Sequence, residues 1–510
     1  MIDLVRLQHA PMRNMGAHWF SLICAGRAAE GLRAEWQRQL RKVQEELRFS
    51  HIRFHGLFHD EMMVCRRGDD GSLHYNFRYI DQLFDFLLEI GLKPFVELGF
   101  MPSALAKDET TLFWWKVRVS PPQRLEEWED LVRQFFLHCI HRYGMEEVRS
   151  WYVEIWNEPC IVGEFWSGTQ KEYFDLYATS ARCIKAIDPA IKVGGPSSAF
   201  FTDGKAPWME EFLDHVVAHH IPIDFVTAHP YPVWWDAGEF SESALIHYRG
   251  PDATADDLRA LKTLLKEKGL GQLEVHVTEW NSSFLCRDVV HDTAFKGPFI
   301  LSNCLATEDL ADSLGYWTFT DLFEEHGAGN SLFHGGFGLM TENGLKKPAY
   351  WGYWFLRKLG AELIEVSDGY AVARKDKGFS ILLWNEVPYR EGYACTVGAQ
   401  PEDPYSAFAQ KESIEVVIRH THTVQSKCIT TYSVTREKES VYDAWVRLGS
   451  PEYPDKEQVE MLEQSCRPHI EVFTTKERES TIELAPFQMI LWEITEDTYE
   501  YDHHPMAKNI

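Results

Sequence analysis

The chain has 510 residues, 45% of them hydrophobic and 25% charged, so it is too long for one compact core and too apolar to be disordered. Its 51 Lys and Arg stand against 77 Asp and Glu, and a net charge of −26 repels polyanions, which excludes nucleic acid and anionic membranes as partners. A small neutral ligand suits such a surface, and an aromatic share of 14%, with 18 Trp, offers platforms for sugar rings as well as core filler.

The ten cysteines are scattered without a CxxC pair and read as free thiols of a reducing compartment. The opening MIDLVRLQHA lacks the apolar stretch and cleavage site of a secretory signal, and no run is long enough to span a membrane, so the expected location is the cytoplasm. A homo-oligomer is compatible with this composition.

Residues 1–13 are expected to join a C-terminal β-structure. From 14 to 358, short apolar runs alternate with amphipathic stretches. The candidate strands are His18–Leu22, His51–His55, Pro94–Leu98, Trp151–Trp156, Ile191–Gly194, Asp224–His229, Leu273–Glu279 and Gly315–Phe319. Helical stretches separate them. In the first, Trp36, Leu40, Val43 and Leu47 recur at helical spacing, and others run through Phe77–Ile90, Leu125–Arg142, Lys171–Ile187, Met209–Ala218, Thr254–Lys268 and His291–Ser313. Eight strands alternating with helices predict an α/β fold, a closed (β/α)8 TIM barrel. No GxGxxG or GxxxxGK[ST] follows a strand, which argues against a nucleotide-binding open sheet. Between 359 and 495 the pattern turns to alternating and β-branched runs, such as Phe379–Trp384, Cys428–Val434 and Phe487–Glu493, predicting an all-β sandwich. Residues 496–510 read as a loose polar tail.

Barrel enzymes carry their reactive groups where strands end. Those positions hold His55, Asn157, Glu158, His229, Tyr231, Glu279 and Trp317. Glu158 and Glu279 thus come from the fourth and seventh strands and face each other across the barrel mouth. A glycosidase needs such a pair: an acid to protonate the leaving oxygen and a carboxylate facing the anomeric carbon. If the carboxyls stand about 5–5.5 Å apart, no water fits between them and the second must attack the sugar directly. In Trp156-Asn157-Glu158-Pro159 the proline ends the ladder and the asparagine offers an amide to a sugar hydroxyl. Trp384-Asn385-Glu386 repeats three of these letters, but without the proline and in the β-rich region, so it is assigned no catalytic role. The Gly-rich stretch Gly327–Gly338 lacks the helix N-terminus and Lys of a phosphate cradle and reads as a mobile loop over the pocket. No HExxH and no GxSxG occurs, so neither a metal nor a serine nucleophile is expected, and no cofactor.

The sequence resembles glycoside hydrolase family 39, the β-xylosidase and α-L-iduronidase family, and is most similar to its bacterial β-xylosidase branch. The resemblance covers the barrel almost throughout. It rests on IRFHGLFHDEM (Ile52–Met62), EIWNEP (Glu154–Pro159), DFVTAHPYP (Asp224–Pro232), VTEWN (Val277–Asn281), YWTFTDLFEE (Tyr316–Glu325) and HGGFGLM (His334–Met340). The WNEP element is common to a whole clan of barrel glycosidases, and the last two motifs narrow the family. The resemblance implies a retaining, exo-acting β-xylosidase working by double displacement on xylo-oligosaccharides or related glycosides. Glu158 would be the acid/base and Glu279 the nucleophile. Asn157 would hold the 2-hydroxyl, Trp317 would floor the sugar subsite, and His55, His229, Tyr231 and Glu324 would line it. Spacing alone favours Glu325 as much as Glu324. Xylosidases of the family often carry Asn after the Glu-Pro, where this chain has Cys160. The competing readings are a relative acting on an iduronide, glucoside, galactoside or arabinoside, and a sugar-binding protein on a dead barrel.

Overall fold

The computed structural model of the protein describes residues 1–14, 16, 18–199, 207–235, 243–397, 401–420 and 427–496. Most of the tail read as loose, residues 497–510, lies outside the described residues.

Eight parallel strands form a closed barrel: β1 (Leu22–Arg27), β2 (His51–His55), β3 (Lys93–Leu98), β4 (Tyr152–Ile155), β5 (Lys192–Ala199), β6 (Phe225–His229), β7 (Glu274–Trp280) and β8 (Ser313–Tyr316). Each pairs with its neighbours in chain order, and the ring closes where Tyr316 of β8 meets Ile23 of β1. The expected first strand is displaced. His18–Ser21 forms a turn of helix, and the strand begins at Leu22. A short apolar run cannot by itself distinguish the two states, and here His18, Trp19 and Phe20 are buried as the chain enters the barrel.

The helices follow the apolar stripes. Helix α1 (Ala34–Leu47) buries Trp36, Leu40, Val43 and Leu47 at the spacing of one helical face. Helices α2 (Arg78–Glu89), α3 (Leu125–Tyr143), α4 (Gln170–Ile187), α5 (Trp208–Ala218) and α6 (Ala253–Glu267) continue the ring. Thr169 caps α4 in a reciprocal box with Glu172. The long stretch read as one helix over 291–313 is a 3-10 turn at Val289–Asp292 followed by α7 (Lys296–Ala306). Helix α8 (Pro348–Leu359) completes the barrel.

The two sheets of the C-terminal region are built from β9 (Glu362–Ser367), β10 (Tyr370–Lys375), β11 (Gly378–Trp384), β12 (Ile414–Arg419), β13 (Lys427–Val434), β14 (His469–Thr475), β15 (Glu479–Leu484) and β16 (Met489–Glu496). A large sheet runs β9-β10-β11-β16-β13-β14, with Arg13–Asn14 paired outside β9. A small sheet joins β12 to β15, and Ile2–Asp3 adds a parallel edge against Ile418 and Arg419. Between the layers, Ile2, Leu4 and Leu7 pack with Phe379, Ile381, Ile418 and Trp492. The opposite face of β11 carries Leu382 and Trp384 into the barrel's core cluster. Both faces are buried, which explains why this strand reads as an unbroken apolar run.

The C-terminal region is sheet-rich but not all-β. Helices α9 (Val441–Arg447) and α10 (Lys456–Ser465) interrupt it, capped by Ser440 and Asp455. Both caps were present in the sequence as Ser440-x-x-Asp443 and Asp455-x-x-Gln458, the spacing of a helix start. Their apolar sides cover Leu332, Phe333 and Leu345, residues from the barrel segment that follows β8.

Leu4 is buried between the two sheets and lies in a layer that does not touch the barrel mouth. Leu4→Ala should cost about 2–5 kcal/mol of stability through the cavity it leaves. The thermal midpoint should fall while KM and kcat hold.

Candidate active site

The C-terminal ends of the strands enclose a cavity of about 190 Å³ lined by Phe113, Glu158, Tyr231, Glu279, Trp317 and Glu325, among others. Below it the barrel interior is layered. A ring cluster of Phe95, Tyr152, Phe225 and His276 fills the lower level. Above it sits Arg53, fully buried, which sequence reasoning passed over although a charge inside the apolar strand His51–His55 was a usable signal. Its Nε donates to Glu154 at 2.6 Å, Nη1 to Glu279 at 2.8 Å and Nη2 to Asn157 Oδ1 at 2.7 Å. Nη2 also lies 2.9 Å from Glu97. Burial opposes its charge, but Glu154, Glu97 and Glu279 outweigh that and hold the guanidinium protonated beyond its usual range.

Two local distortions bring the carboxyls to the axis. The register of β7 against β8 slips between Val277 and Trp280, so consecutive residues Thr278 and Glu279 both reach inward groups. After β4, Trp156 and Glu158 take φ values of 73° and 43°, in the left-handed region, at a cost of about 1–3 kcal/mol each. Ser197 of β5 clips this turn: its hydroxyl accepts from Glu158 N and donates to Trp156 O, both at 3.1 Å.

Glu158, Glu279 and His229 then present one donor atom each within 4.8 Å of one another. Such a close approach of carboxyl oxygens suits direct attack of one carboxylate on the sugar, the arrangement in which the two carboxyls stand about 5–5.5 Å apart. The two acids differ in their surroundings. Glu279 accepts from Arg53 and, through Oε2, from the Tyr231 hydroxyl at 3.0 Å. Among the described residues Glu158 has no Lys or Arg in contact. Burial pushes its pKa up to about 8, His55 and Arg53 offset part of this, and Glu164 and Glu154 add to it. One carboxyl is therefore held by donors and a cation and the other is pushed up by burial, a division set by environment.

Of the remaining predicted residues, His229 contacts Glu158 through Nδ1 at 2.7 Å. His55 bonds Glu97 at 2.6 Å and stands 3.5 Å from Glu279. Asn157 has its oxygen on Arg53 and its Nδ2 buried without a partner among the described residues. Trp317 lies on the cavity wall, its ring 4.7 Å from that of His55.

Glu324 is a correction. Its carboxylate is gripped by Arg33 at 2.6 and 2.8 Å and by Arg27 at 2.9 Å, and these cations hold it below the usual range. It does not line the cavity. Glu325 does, and burial, reinforced by Glu279 and Glu158, pushes its pKa well above the carboxylate range. One residue of phase along a loop decides between them, and no periodicity governs a loop. The Gly-rich stretch is also tied down more than a mobile loop would be. Gly335 N donates to Asp292, Gly338 N to Asp321, and buried Lys347 bridges both aspartates. Cys160 turns its sulfur to the backbone of Ala199 at the end of β5 and is absent from the cavity wall. Trp384 ends β11, and Glu386 faces a separate cavity between α7 and the large sheet.

Among the described residues, one further group could hold a metal: Cys286, Glu325 and His326. Its donor chemistry fits poorly. Burial pushes the Cys286 thiol up to about 12, and the cation of Arg287 acts on all three residues.

A (β/α)8 barrel that presents two close carboxyls in such unlike surroundings is the apparatus of a retaining glycoside hydrolase. The chain belongs to glycosyl hydrolases family 39, whose sequence model matches residues 4–481. It is 37% identical over 457 residues to a Beta-xylosidase of Caldicellulosiruptor saccharolyticus, covering 87% of each chain. It is 34% identical over 477 residues to a Beta-xylosidase of Geobacillus stearothermophilus, covering 91% of this chain and 88% of that one. A crystal structure described as a monomeric beta-xylosidase from Caulobacter crescentus CB15 superposes with a TM-score of 0.85 at 31% identity, covering 97% of this chain and 99% of the other.

The raised pKa of Glu158 has a measurable consequence for stability. The native state holds a proton that the unfolded chain releases, so this contribution is complete below pH 4.5 and is lost as pH rises toward 8. Glu158→Gln, which cannot ionise, should gain in thermal midpoint on the wild type across that window. A constant difference from acid to alkaline pH would contradict the assignment.

Proposed function

We propose that the protein is a retaining, exo-acting β-xylosidase that removes xylose from the non-reducing end of xylo-oligosaccharides, with Glu158 as acid/base and Glu279 as nucleophile. The carrying observation is the approach of one oxygen of each carboxyl to within 4.8 Å, one carboxyl held by Arg53 and Tyr231 and the other buried with no cation in contact among the described residues.

In the first step Glu279 attacks the anomeric carbon while Glu158 protonates the departing oxygen. The glycosyl-enzyme has lost the charge of Glu279, so Glu158 is free to ionise and then takes a proton from the attacking water. Asn157 and Trp317 orient the sugar. The small cavity supports an exo mode in which one ring is enclosed. Its wall includes Glu158, Glu164, Glu279 and Glu325 and no Lys or Arg, which favours a neutral pentose over a uronate. No helix among the described residues is long and apolar enough to cross a membrane. No disulfide joins any of the ten cysteines, which supports a cytoplasmic site of action on oligosaccharides derived from xylan.

On a panel of chromogenic glycosides the β-xyloside should be cleaved with the highest kcat/KM, and a preference for the iduronide, glucoside, galactoside or arabinoside would replace the substrate assignment. Proton NMR of the early product should record β-xylose, because double displacement inverts twice.

The two acids should also separate by mutation. Glu279→Ala should abolish hydrolysis of every substrate. Glu158→Ala should lose about 10²–10⁴-fold on unactivated xylosides, yet still be glycosylated by aryl xylosides of low leaving-group pKa. Azide should restore its turnover and give the β-glycosyl azide. Identical behaviour of the two variants on activated substrates would reverse the role assignment.

A further inference from the structure

Donor and acceptor counting fixes one proton in this barrel. Glu154, in the middle of β4, is ion-paired through Oε2 with Arg53 and stands as a carboxylate, which offers only acceptors. Its Oε1 accepts from Thr278 Oγ1 at 2.8 Å, and that uses the single hydroxyl hydrogen of Thr278. His229 Nε2 lies 3.1 Å from the same Oγ1. Thr278 can only accept there, so Nε2 carries a hydrogen. The other ring nitrogen, Nδ1, lies 2.7 Å from Glu158 Oε1. Burial draws the His229 pKa down to about 4, so the ring resists a second proton and Nδ1 presents a bare lone pair.

We propose that Glu154 and Thr278 lock His229 as the Nε2–H tautomer, so that Nδ1 accepts the carboxyl hydrogen of Glu158 and keeps this acid protonated between turnovers. Thr278, Glu154 and His229 are then positioning residues for the acid, and the inference rests on reading Glu158 as the acid/base.

The neighbouring charges work in both directions. Arg53 and His55 of β2 favour an ionised Glu158, while Glu164, on the segment after β4, opposes it. Glu279 Oε2 stands 3.8 Å from Nδ1, and Tyr231 has already given its hydrogen to Glu279. Cys160, a thiol pushed up to about 12, adds no charge. Against the influence of Arg53 and His55, a bare Nδ1 at 2.7 Å supplies the lone-pair repulsion that an ionised Glu158 would meet.

The same contact serves both halves of the reaction. When the aglycone departs, the bond from the anomeric carbon to its oxygen breaks, and the electron pair stays on that oxygen. The oxygen takes the Glu158 hydrogen while a Glu279 oxygen bonds to the carbon. Ionised Glu158 now faces the bare Nδ1. The repulsion is relieved when a water oxygen bonds to the carbon, its hydrogen passes to Glu158, and the bond to Glu279 breaks with its electron pair returning to the carboxylate.

Nitrogen-15 NMR of histidine-labelled protein, with His229 assigned by the signal lost in His229→Asn, reads the tautomer directly. Near neutral pH the His229 Nε2 should be protonated and Nδ1 bare, and a protonated Nδ1 would overturn the proposal. Thr278→Val removes the hydroxyl and frees the ring to carry its hydrogen on Nδ1, where it would donate to an ionised Glu158. The basic limb of the kcat/KM profile on an unactivated xyloside should then move down by about one pH unit or more, with the acidic limb in place. Loss of activity should be far smaller on a dinitrophenyl xyloside, whose leaving group needs no proton, and Thr278→Ser should restore the wild-type profile. An unmoved basic limb, or equal losses on both substrates, would also overturn it. A failure of the acid/base reading itself would show separately, in the Glu158→Ala azide experiment, with the tautomer intact.

Discussion

The active end of this barrel is organised by one buried cation. Arg53 reaches Glu97, Glu154, Glu279 and Asn157 from the centre of β2, and its side chain is inaccessible to solvent. Three carboxylates on the axis of a barrel would repel one another and the bilateral burial of their strands. A single guanidinium, with donors in a rigid plane, reaches all three, offsets part of that repulsion and keeps each at a defined angle. Removal of such a partner leaves uncompensated buried charge, which costs about 3–5 kcal/mol. A lysine would supply the charge without the fan of donors.

The asymmetry between the Glu158 and Glu279 carboxyls follows from where this cation ends. Arg53 touches Glu279 and does not touch Glu158. Tyr231 adds a second donor to Glu279, while Glu158 meets an imidazole of depressed basicity. Two glutamates of the same chemistry therefore sit in opposite surroundings, one held by a cation and the other pushed up by burial. The difference comes from one shell of neighbours and needs no bound ion.

The sheet-rich region bears on the site indirectly. Its helices α9 and α10 cover the apolar residues Leu332, Phe333 and Leu345. The intervening chain returns through Gly335–Gly338, which the Asp292–Lys347–Asp321 network anchors. The wall beside Trp317 and Glu325 is thus fixed from outside by packing and from inside by ion pairs.

Much of this could be read along the chain. The alternation of apolar runs with helical stripes is a local consequence of side-chain periodicity, and it carried the barrel, its helices and the strand ends bearing Glu158 and Glu279. The exceptions were local ambiguities: the His18–Leu22 run that is helical before it is a strand, and two capped helices inside a region of β texture. What the sequence could not decide lies across the barrel. Arg53 is an isolated charge in His51–His55 until the strands close and bring Glu97, Glu154 and Glu279 within 3 Å of it. Thr278 and Glu279 both face inward because pairing slips beside them, and Glu325 rather than Glu324 meets the cavity because Arg27 and Arg33 claim the latter. Periodicity determines which face of an element is buried. Only closure of the barrel decides which polar groups from different strands meet there, because those partners lie 42 to 226 residues apart along the chain.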